Sequence, residues 1–310
     1  MAGSRSSATG AERRDRHRTW LVTGCSSGLG RALAETLVAR GERLIATARD
    51  PDQLKDLAAA SDRVRALKLD VTSPEDIAAV AAAVAECGVD VLVNNAGYGF
   101  LAAFEEAGEA DYRAQFETNL FGVIAVTRAI LPGMRLRGSG HIVNIASVGG
   151  LVGNPGSAYY SASKFAVVGL SESLAKELSE FGIRVSVIEP GALRTDWAGR
   201  SLRSSARRVA AYRTVHERLR EISRSSDQRS GDPARAARAI VAAVESENPP
   251  LHLVLGASGL ERVRERIASF AAGLNEWELV SVGIDYGQEP SVETASPGQD
   301  MSGLVVTNQF

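Results

Sequence analysis

The chain is poor in the residues that would mark a secreted, metal-binding or membrane protein. Only two of its 310 residues are cysteines. Cys25 and Cys87 are too far apart for a CxxC or metal-like spacing, which argues for a reducing compartment and against a disulfide scaffold. The four histidines (His17, His141, His216, His252) are scattered, with no HExxH and no acidic cluster, so no metal site is expected. Aromatic residues make up 5% of the chain, and the net charge is −2. No global basic field therefore draws it to nucleic acid or to an anionic membrane. No apolar run approaches the ~18–20 residues that cross a bilayer. The first 18 residues are rich in Arg, Ser and Gly without an apolar core, and read as a disordered extension rather than a secretory signal. The expected location is cytoplasmic.

What the chain does have is an ample core, 45% of its residues being hydrophobic. Short β-branched runs alternate with Ala/Leu-rich helical stretches from Thr19 onward. Strands are expected at Trp20–Thr23, Arg43–Thr47, Arg65–Leu69, Val89–Asn94, His141–Ile145, Ile183–Ile188 and Leu251–Leu255. Helical patterns start near Gly30, Asp52, Pro74, Glu109, Ala158, Arg207, Pro233 and Ser258, and Gly41, Gly88, Gly138 and Gly182 follow helical runs. This alternation predicts an α/β fold, a doubly wound parallel sheet of about seven strands with ligands at the carboxyl ends of the strands. No linker divides residues 19–286, which read as one domain. Residues 287–310 are rich in Gly, Pro, Ser and acids and read as a flexible tail, with an apolar end, Leu304–Phe310, free to dock on a neighbouring subunit.

The first strand runs into Gly24-Cys-Ser-Ser-Gly28-Leu-Gly30 and then a helix. Such glycines let the backbone turn tightly and approach a pyrophosphate at the helix N-terminus. The spacing is Gly-x3-Gly-x-Gly, not GxGxxG. The same residues spell G-x-S-x-G around Ser26, so a serine hydrolase is a rival reading. Its oxyanion-hole loop belongs upstream of the serine, where here there is only a strand and a polar tail. Cys25 sits where helix N-termini acidify thiols, but reads as a small side chain beside the cofactor.

Tyr160 and Lys164 lie four residues apart, on one helix face. A free phenol titrates near pH ~10. A cation within about 4–6 Å lowers that value and makes the phenol an acid or base able to exchange a proton with an alcohol or carbonyl. Tyr159 is the decoy, because its i+4 partner is Ser163.

Together, Thr23-Gly-Cys-Ser-Ser-Gly-Leu-Gly30, Leu69-Asp-Val71, Asn94-Asn-Ala-Gly97, Asn119, Ser147, Tyr160-x3-Lys164 and Pro190-Gly191-x3-Thr195 resemble the short-chain dehydrogenase/reductase family, whose fold is Rossmann-type. The resemblance runs from about Arg18 to Ala257 and is strongest to the subgroup similar to 17β-hydroxysteroid dehydrogenases. It implies a nicotinamide-dependent oxidoreductase interconverting a ketone or aldehyde with an alcohol. Tyr160 would be the acid/base, Lys164 would acidify it and hold the nicotinamide ribose, Ser147 would bind the substrate oxygen, and Asn119 would hold a water in a relay to Lys164. Asn119 falls inside a helical run where Asn is a poor helix former, a local cost that fits such a role. The implied cofactor contacts are Gly24, Ser26, Ser27, Gly28, Leu29, Gly30, Arg49, Asp70, Val71, Asn94, Ala96, Gly97, Tyr160, Lys164, Pro190, Gly191 and Thr195. Among them Asn94 would offer its backbone to the adenosine ribose and Asp70 would touch adenine, although Asp70 could instead cap a turn. A non-catalytic dinucleotide-binding redox sensor is a second reading, opposed by the retained acid/base residues.

Strand 2 ends Ala46-Thr-Ala-Arg49-Asp50-Pro51. Asp50 could accept the ribose 2′-hydroxyl, but reads better as an N-cap before Pro51. Arg49 would then face the cofactor and suit a 2′-phosphate, favouring NADP(H), while Ser27 stands where many relatives have Lys or Arg, and NAD(H) stays open. The segment 195–230 corresponds to the family's lid. From Trp197 to Ser230 it holds nine arginines against three acids. This is either a solvated helical hairpin or a field that steers an anionic substrate. Tyr98, Phe100, Val148, Leu193 and Trp197 suggest a substrate with an apolar body. Relatives assemble through helices corresponding to Glu109–Leu136 and Ala158–Phe181, so a homodimer or homotetramer is expected.

Overall fold

The computed structural model describes residues 17–195, 202–224 and 230–286. Most of the N-terminal extension, the tail 287–310, Trp197 and parts of the lid lie outside the described residues. Among the described residues nine strands are formed: β1 Thr19–Val22, β2 Arg43–Ala48, β3 Val64–Lys68, β4 Val91–Asn94, β5 Gly99–Leu101, β6 Gly140–Ile145, β7 Ile183–Pro190, β8 Leu202–Ser204 and β9 His252–Leu255. Seven of them, all foreseen, build a parallel sheet in the order β3-β2-β1-β4-β6-β7-β9. The order reverses beside β1, where chain crossovers part to opposite faces and open a crevice at the carboxyl ends of β1 and β4. β5 and β8 pair in a separate parallel two-stranded sheet, which the sequence did not announce because three-residue strands carry no periodicity.

The helices are α1 Gly28–Ala39, α2 Lys55–Ala60, α3 Pro74–Val84, α4 Glu109–Phe116, α5 Gly122–Arg137, α6 Ala158–Leu178, α7 Arg213–Arg224, α8 Pro233–Glu245, α9 Ala257–Glu276 and α10 Glu278–Val282. Successive strand residues face opposite sides, and the two cores divide accordingly. Trp20, Val22, Leu44 and Ala46 pack with Leu33 and Leu37 of α1 and Ile240 and Val244 of α8. Leu21, Ile45, Leu92 and Ile142 pack with Val80 of α3, Ile130 and Met134 of α5, and Leu178 at the end of α6. Helix starts follow the expected chemistry: Ser73 and Asp232 cap helices whose first residue is proline. The helical pattern anticipated near Arg207 begins at Arg213 instead. α4 and α5 are joined by a π-helical turn at Glu117–Phe121.

The described residues divide after Val263. The first unit holds the sheet. The second comprises α9 from Arg264 and α10, in which Ile267, Phe270, Leu274 and Trp277 are exposed. No helix among the described residues is long and apolar enough to cross a membrane. Among the described residues no group of three or more His, Cys, Asp or Glu could hold a metal ion.

Candidate active site

At the carboxyl end of β1 the chain turns through Gly24 and Gly28, both with positive φ (73° and 61°). A Cβ on Gly24 would meet the Ala96 backbone at 3.1 Å, and one on Gly30 would collide with the Asn95 amide and the Gly24 carbonyl. Only glycine fits there, and the turn leaves a shallow cradle of main chain. The Ser27 side chain makes no capping bond and the first turn of α1 holds no acid, so its N–H groups and dipole are available to a phosphate.

Two residues outside the expected contact set hold this turn. Thr23 Oγ1 accepts from the backbone N–H groups of Asn95 and Ala96, each at 2.9 Å. Asn95 Nδ2 donates to the carbonyls of Thr23 (2.8 Å) and Gly24 (3.1 Å). Both stood inside the quoted motifs, and the signal missed was their polarity at the ends of two adjacent strands.

Asn94 ends β4 with its side chain buried, Nδ2 donating to Thr127 Oγ1 (2.9 Å) and Asn144 Oδ1 (2.8 Å). The side chain thus ties β4 to α5 and β6. Asp70 Oδ1 accepts from Thr72 N (2.9 Å) and Thr72 Oγ1 (2.7 Å), the turn-capping alternative. The Val71 side chain is buried, and a Cβ on Gly122 would strike its Cγ2 and Cβ. Asp50 caps the short 3-10 turn Pro51–Leu54, accepting from Asp52 N at 3.1 Å, while Arg49 is exposed beside it.

Cys25 is a small side chain fully buried in the core, with its Sγ 3.3 Å from the Val22 carbonyl, and burial pushes the thiol up to about 12. Desolvation outweighs the helix N-terminus. The hydrolase reading of Ser26 finds no base among the described residues. His141 bonds Ser186, His216 bonds Glu106 and His252 bonds Glu189, while His17 lies beside Gly41 beyond the far end of α1.

The residues expected to carry acid/base chemistry lie together beside the turn. Ser147 leaves β6 and caps a short 3-10 turn, accepting from Gly149 N at 3.0 Å. Its side chain hydrogen-bonds Tyr160. Gly149 matters to this contact, because a Cβ there would sit 3.2 Å from Tyr160 Cε1 and 3.4 Å from Ser147 Oγ. Lys164, one turn along α6, is buried and donates from Nζ to the Ile145 carbonyl at 2.8 Å. Burial pushes its ammonium down to about 8 and pushes the Tyr160 phenol up, with only the Ser147 bond pulling the phenol back. Lys164 thus lies one turn from Tyr160 on α6, with its ammonium held on the carbonyl that ends β6.

Asn119 sits buried within the π turn. Its Oδ1 accepts from Tyr98 N (3.0 Å), and its Nδ2 donates to Tyr98 O (2.9 Å) and Ser163 Oγ (3.3 Å). Gly97 separates it from the lysine: a Cβ there would lie 3.0 Å from Asn119 Oδ1 and 3.6 Å from Lys164 Nζ. Gly191 N donates to Leu255 O at 2.8 Å just past the Pro190 end of β7. Thr195 lies over the glycine turn, its Cβ 3.8 Å from where a Gly28 Cβ would be. Tyr159 faces away from this group, stacked between Phe104 and Tyr112 with its hydroxyl on the Phe104 carbonyl.

Residues 18–206 match the family model described as short chain dehydrogenase. Oxidoreductase BOA17 of Botryotinia fuckeliana is 37% identical over 269 residues, 86% of this chain and 98% of that protein. The crystal structure of a short-chain dehydrogenase from Streptomyces avermitilis is similar with a TM-score of 0.83 at 46% identity, covering 87% of this chain and 99% of that one. Two further solved structures carry a dinucleotide. One, from Burkholderia phymatum, is in complex with NAD (TM-score 0.74, 28% identity, 83% of this chain and 95% of that one). The other, from Burkholderia cenocepacia, is in complex with NADP (TM-score 0.67, 27% identity, 84% and 97%).

Proposed function

The chain belongs to the short-chain dehydrogenase family, as an oxidoreductase that takes a nicotinamide dinucleotide, and from that premise we propose that it interconverts a ketone or aldehyde with the corresponding alcohol and prefers NADP(H). The observation that carries the reading is the convergence of Ser147 on Tyr160, with Lys164 one turn away and the glycine cradle alongside. The nicotinamide supplies or removes the hydride when bound. Tyr160 gives a proton to the carbonyl oxygen, or takes one from the alcohol, while the Ser147 hydroxyl bonds the same oxygen as charge develops on it. Lys164, buried and cationic near neutral pH, keeps positive charge behind the phenol. The Asn119 amide is occupied by Tyr98 and Ser163, so a proton relay at this point uses the main chain of the π turn.

What supports NADP(H) is Arg49, exposed one residue past β2, with Asp50 drawn back onto its own turn. A guanidinium suits a 2′-phosphate. Assembly as a homodimer or homotetramer through α5 and α6 is supported by the exposed Phe121 and Phe165 on and beside those helices.

The test is absorbance at the nicotinamide band with NADPH and NADH across steroid, aliphatic, aromatic and β-keto substrates. Tyr160→Phe should keep dinucleotide binding and lose turnover by about 10²–10⁴-fold. Wild-type turnover in that variant would remove Tyr160 from the mechanism.

A further inference from the structure

A second concavity lies beside the site, between β8 and α7. Its volume is about 490 Å³, and its walls bring together Arg203, Arg208, Arg220, Arg224 and His216. Leu101, Leu202 and Leu219 supply an apolar floor. Four guanidiniums on exposed residues line one cavity, so their charges add to a local positive field. Among the described residues only Arg208 approaches a carboxylate, with Nη1 3.9 Å from Glu106 Oε2. Glu106 is itself fully buried and already spent. It accepts from His216 Nε2 (2.6 Å) and Val209 N (2.7 Å) on one oxygen, and from Ala103 N (3.3 Å) on the other. The charge of Glu221, also on α7, acts on Arg218, outside the cavity. Among the described residues no carboxylate lies within salt-bridge distance of Arg203, Arg220 or Arg224.

Both walls of this cavity run back to the catalytic residues. Arg203 sits over the Tyr98 ring, 4.6 Å from its centroid, a cation–π contact that fixes the guanidinium. The backbone of Tyr98 is held on both its N–H and its carbonyl by Asn119. On the other side, Val215 and Leu219 of α7 press on Gly156, where a Cβ would lie 2.9 and 3.3 Å from them. Gly156 is four residues ahead of Tyr160, and its carbonyl accepts from Ala102 N at 2.9 Å, next to β5.

We propose that this cavity takes the anionic end of the carbonyl substrate, a carboxylate or phosphate oxyanion on an apolar body, held by Arg203, Arg220 and Arg224. Planar guanidinium forks match both oxyanions, and the leucines cover the body between the charge and the reacting carbon. This rests on the carbonyl-reductase reading above and sharpens the lid's arginine excess from a diffuse field to three named contacts.

The experiment compares 5-oxohexanoate with its methyl ester as substrates, and measures binding of hexanoate and hexyl phosphate by calorimetry without turnover. The wild type should favour the acid over the ester in kcat/KM by about 10–100-fold, the worth of one or two charge-assisted hydrogen bonds. The triple variant Arg203→Gln/Arg220→Gln/Arg224→Gln should erase that ratio through KM and lose both anions in calorimetry. The matching Arg→Lys triple, which keeps the charge, should recover part of each. Arg213→Gln removes the same charge from α7 outside the cavity and should leave the ratio as it was. Tighter binding of hexyl phosphate than of hexanoate by the wild type would identify the phosphate ester as the preferred head. Equal ratios in wild type and triple variant, with anion binding unchanged, would overturn the proposal. Anion binding lost in the triple variant, with no ketone turned over by any form, would keep the cavity and sink the carbonyl-reductase reading instead.

Discussion

Around the glycine turn, the surface offered to a ligand is main chain, clamped from beneath by Thr23 and Asn95. Between β8 and α7 it is long cationic side chains on exposed elements, tethered by a ring contact and a few leucines. The first region is built by exclusion: Gly24 and Gly30 are there because any side chain would strike Ala96, Asn95 or the turn itself. The second is built by addition, each arginine contributing its own charge. A surface made by exclusion tolerates no substitution, whereas one made by addition can be retuned stepwise. The dinucleotide end of such a site should therefore be uniform in chemistry, and the substrate end adjustable.

That contrast can be broken in several places. Gly30→Ala forces a methyl into the Asn95 amide and the Gly24 carbonyl. It should cost about 3 kcal/mol or more at the overpacked turn and take dinucleotide binding with it. A variant that still bound the dinucleotide at wild-type affinity would show that the turn can breathe. His141 probes the scaffold beneath both regions. It is buried against Ser186, and burial pushes its imidazole down to about 4. Between pH 4 and 6.5 the unfolded chain binds the additional proton, so the stability present above pH 6.5 is lost as pH falls toward 4. Near pH 5 the loss should be about 2 kcal/mol, read as a shift in the urea midpoint that His141→Gln flattens. Asn95→Ala removes two hydrogen bonds from the clamp and should cost about 1–2 kcal/mol in denaturation, with weaker dinucleotide binding alongside. The gentlest effect belongs to Arg49→Ala. It should weaken NADPH relative to NADH by about tenfold, one charged contact's worth, and leave the fold intact. An unchanged NADPH/NADH ratio would place 2′-phosphate recognition elsewhere.

The sheet was legible because each long strand is a nearly continuous apolar run between glycine or proline punctuation, and burial on both faces leaves little else it can be. The glycine turn and the Tyr160/Lys164 pair were legible because steric exclusion and helical spacing are local. What stayed hidden depends on partners far along the chain. Asn94 and Asn95 are adjacent and chemically identical, yet one ties β4 to α5 and β6 while the other clamps the turn. Only the pleat tells them apart. Cys25 was legible as a small side chain on the turn, but the depth of its burial was not. The helical spacing of Lys164 from Tyr160 was visible, but its bond to the Ile145 carbonyl depends on where β6 ends, 19 residues upstream. The pairing of β5 with β8 joins segments about a hundred residues apart, too short to leave a trace in either.

The turn at Glu117–Phe121 can also be viewed as a phase shift. It adds one residue to what would otherwise be a single helix, offsetting α4 from α5 by about 100° of rotation. On the near side, Gln115 and Asn119 both reach the Tyr98 carbonyl. On the far side, Val126, Ile130 and Met134 all reach the core. An unbroken α-helix cannot aim both sets correctly, so the molecule is geared at this point. Deleting Leu120, which follows Asn119 in the turn, would change no side chain in either set, and would still turn one of them away from its partner.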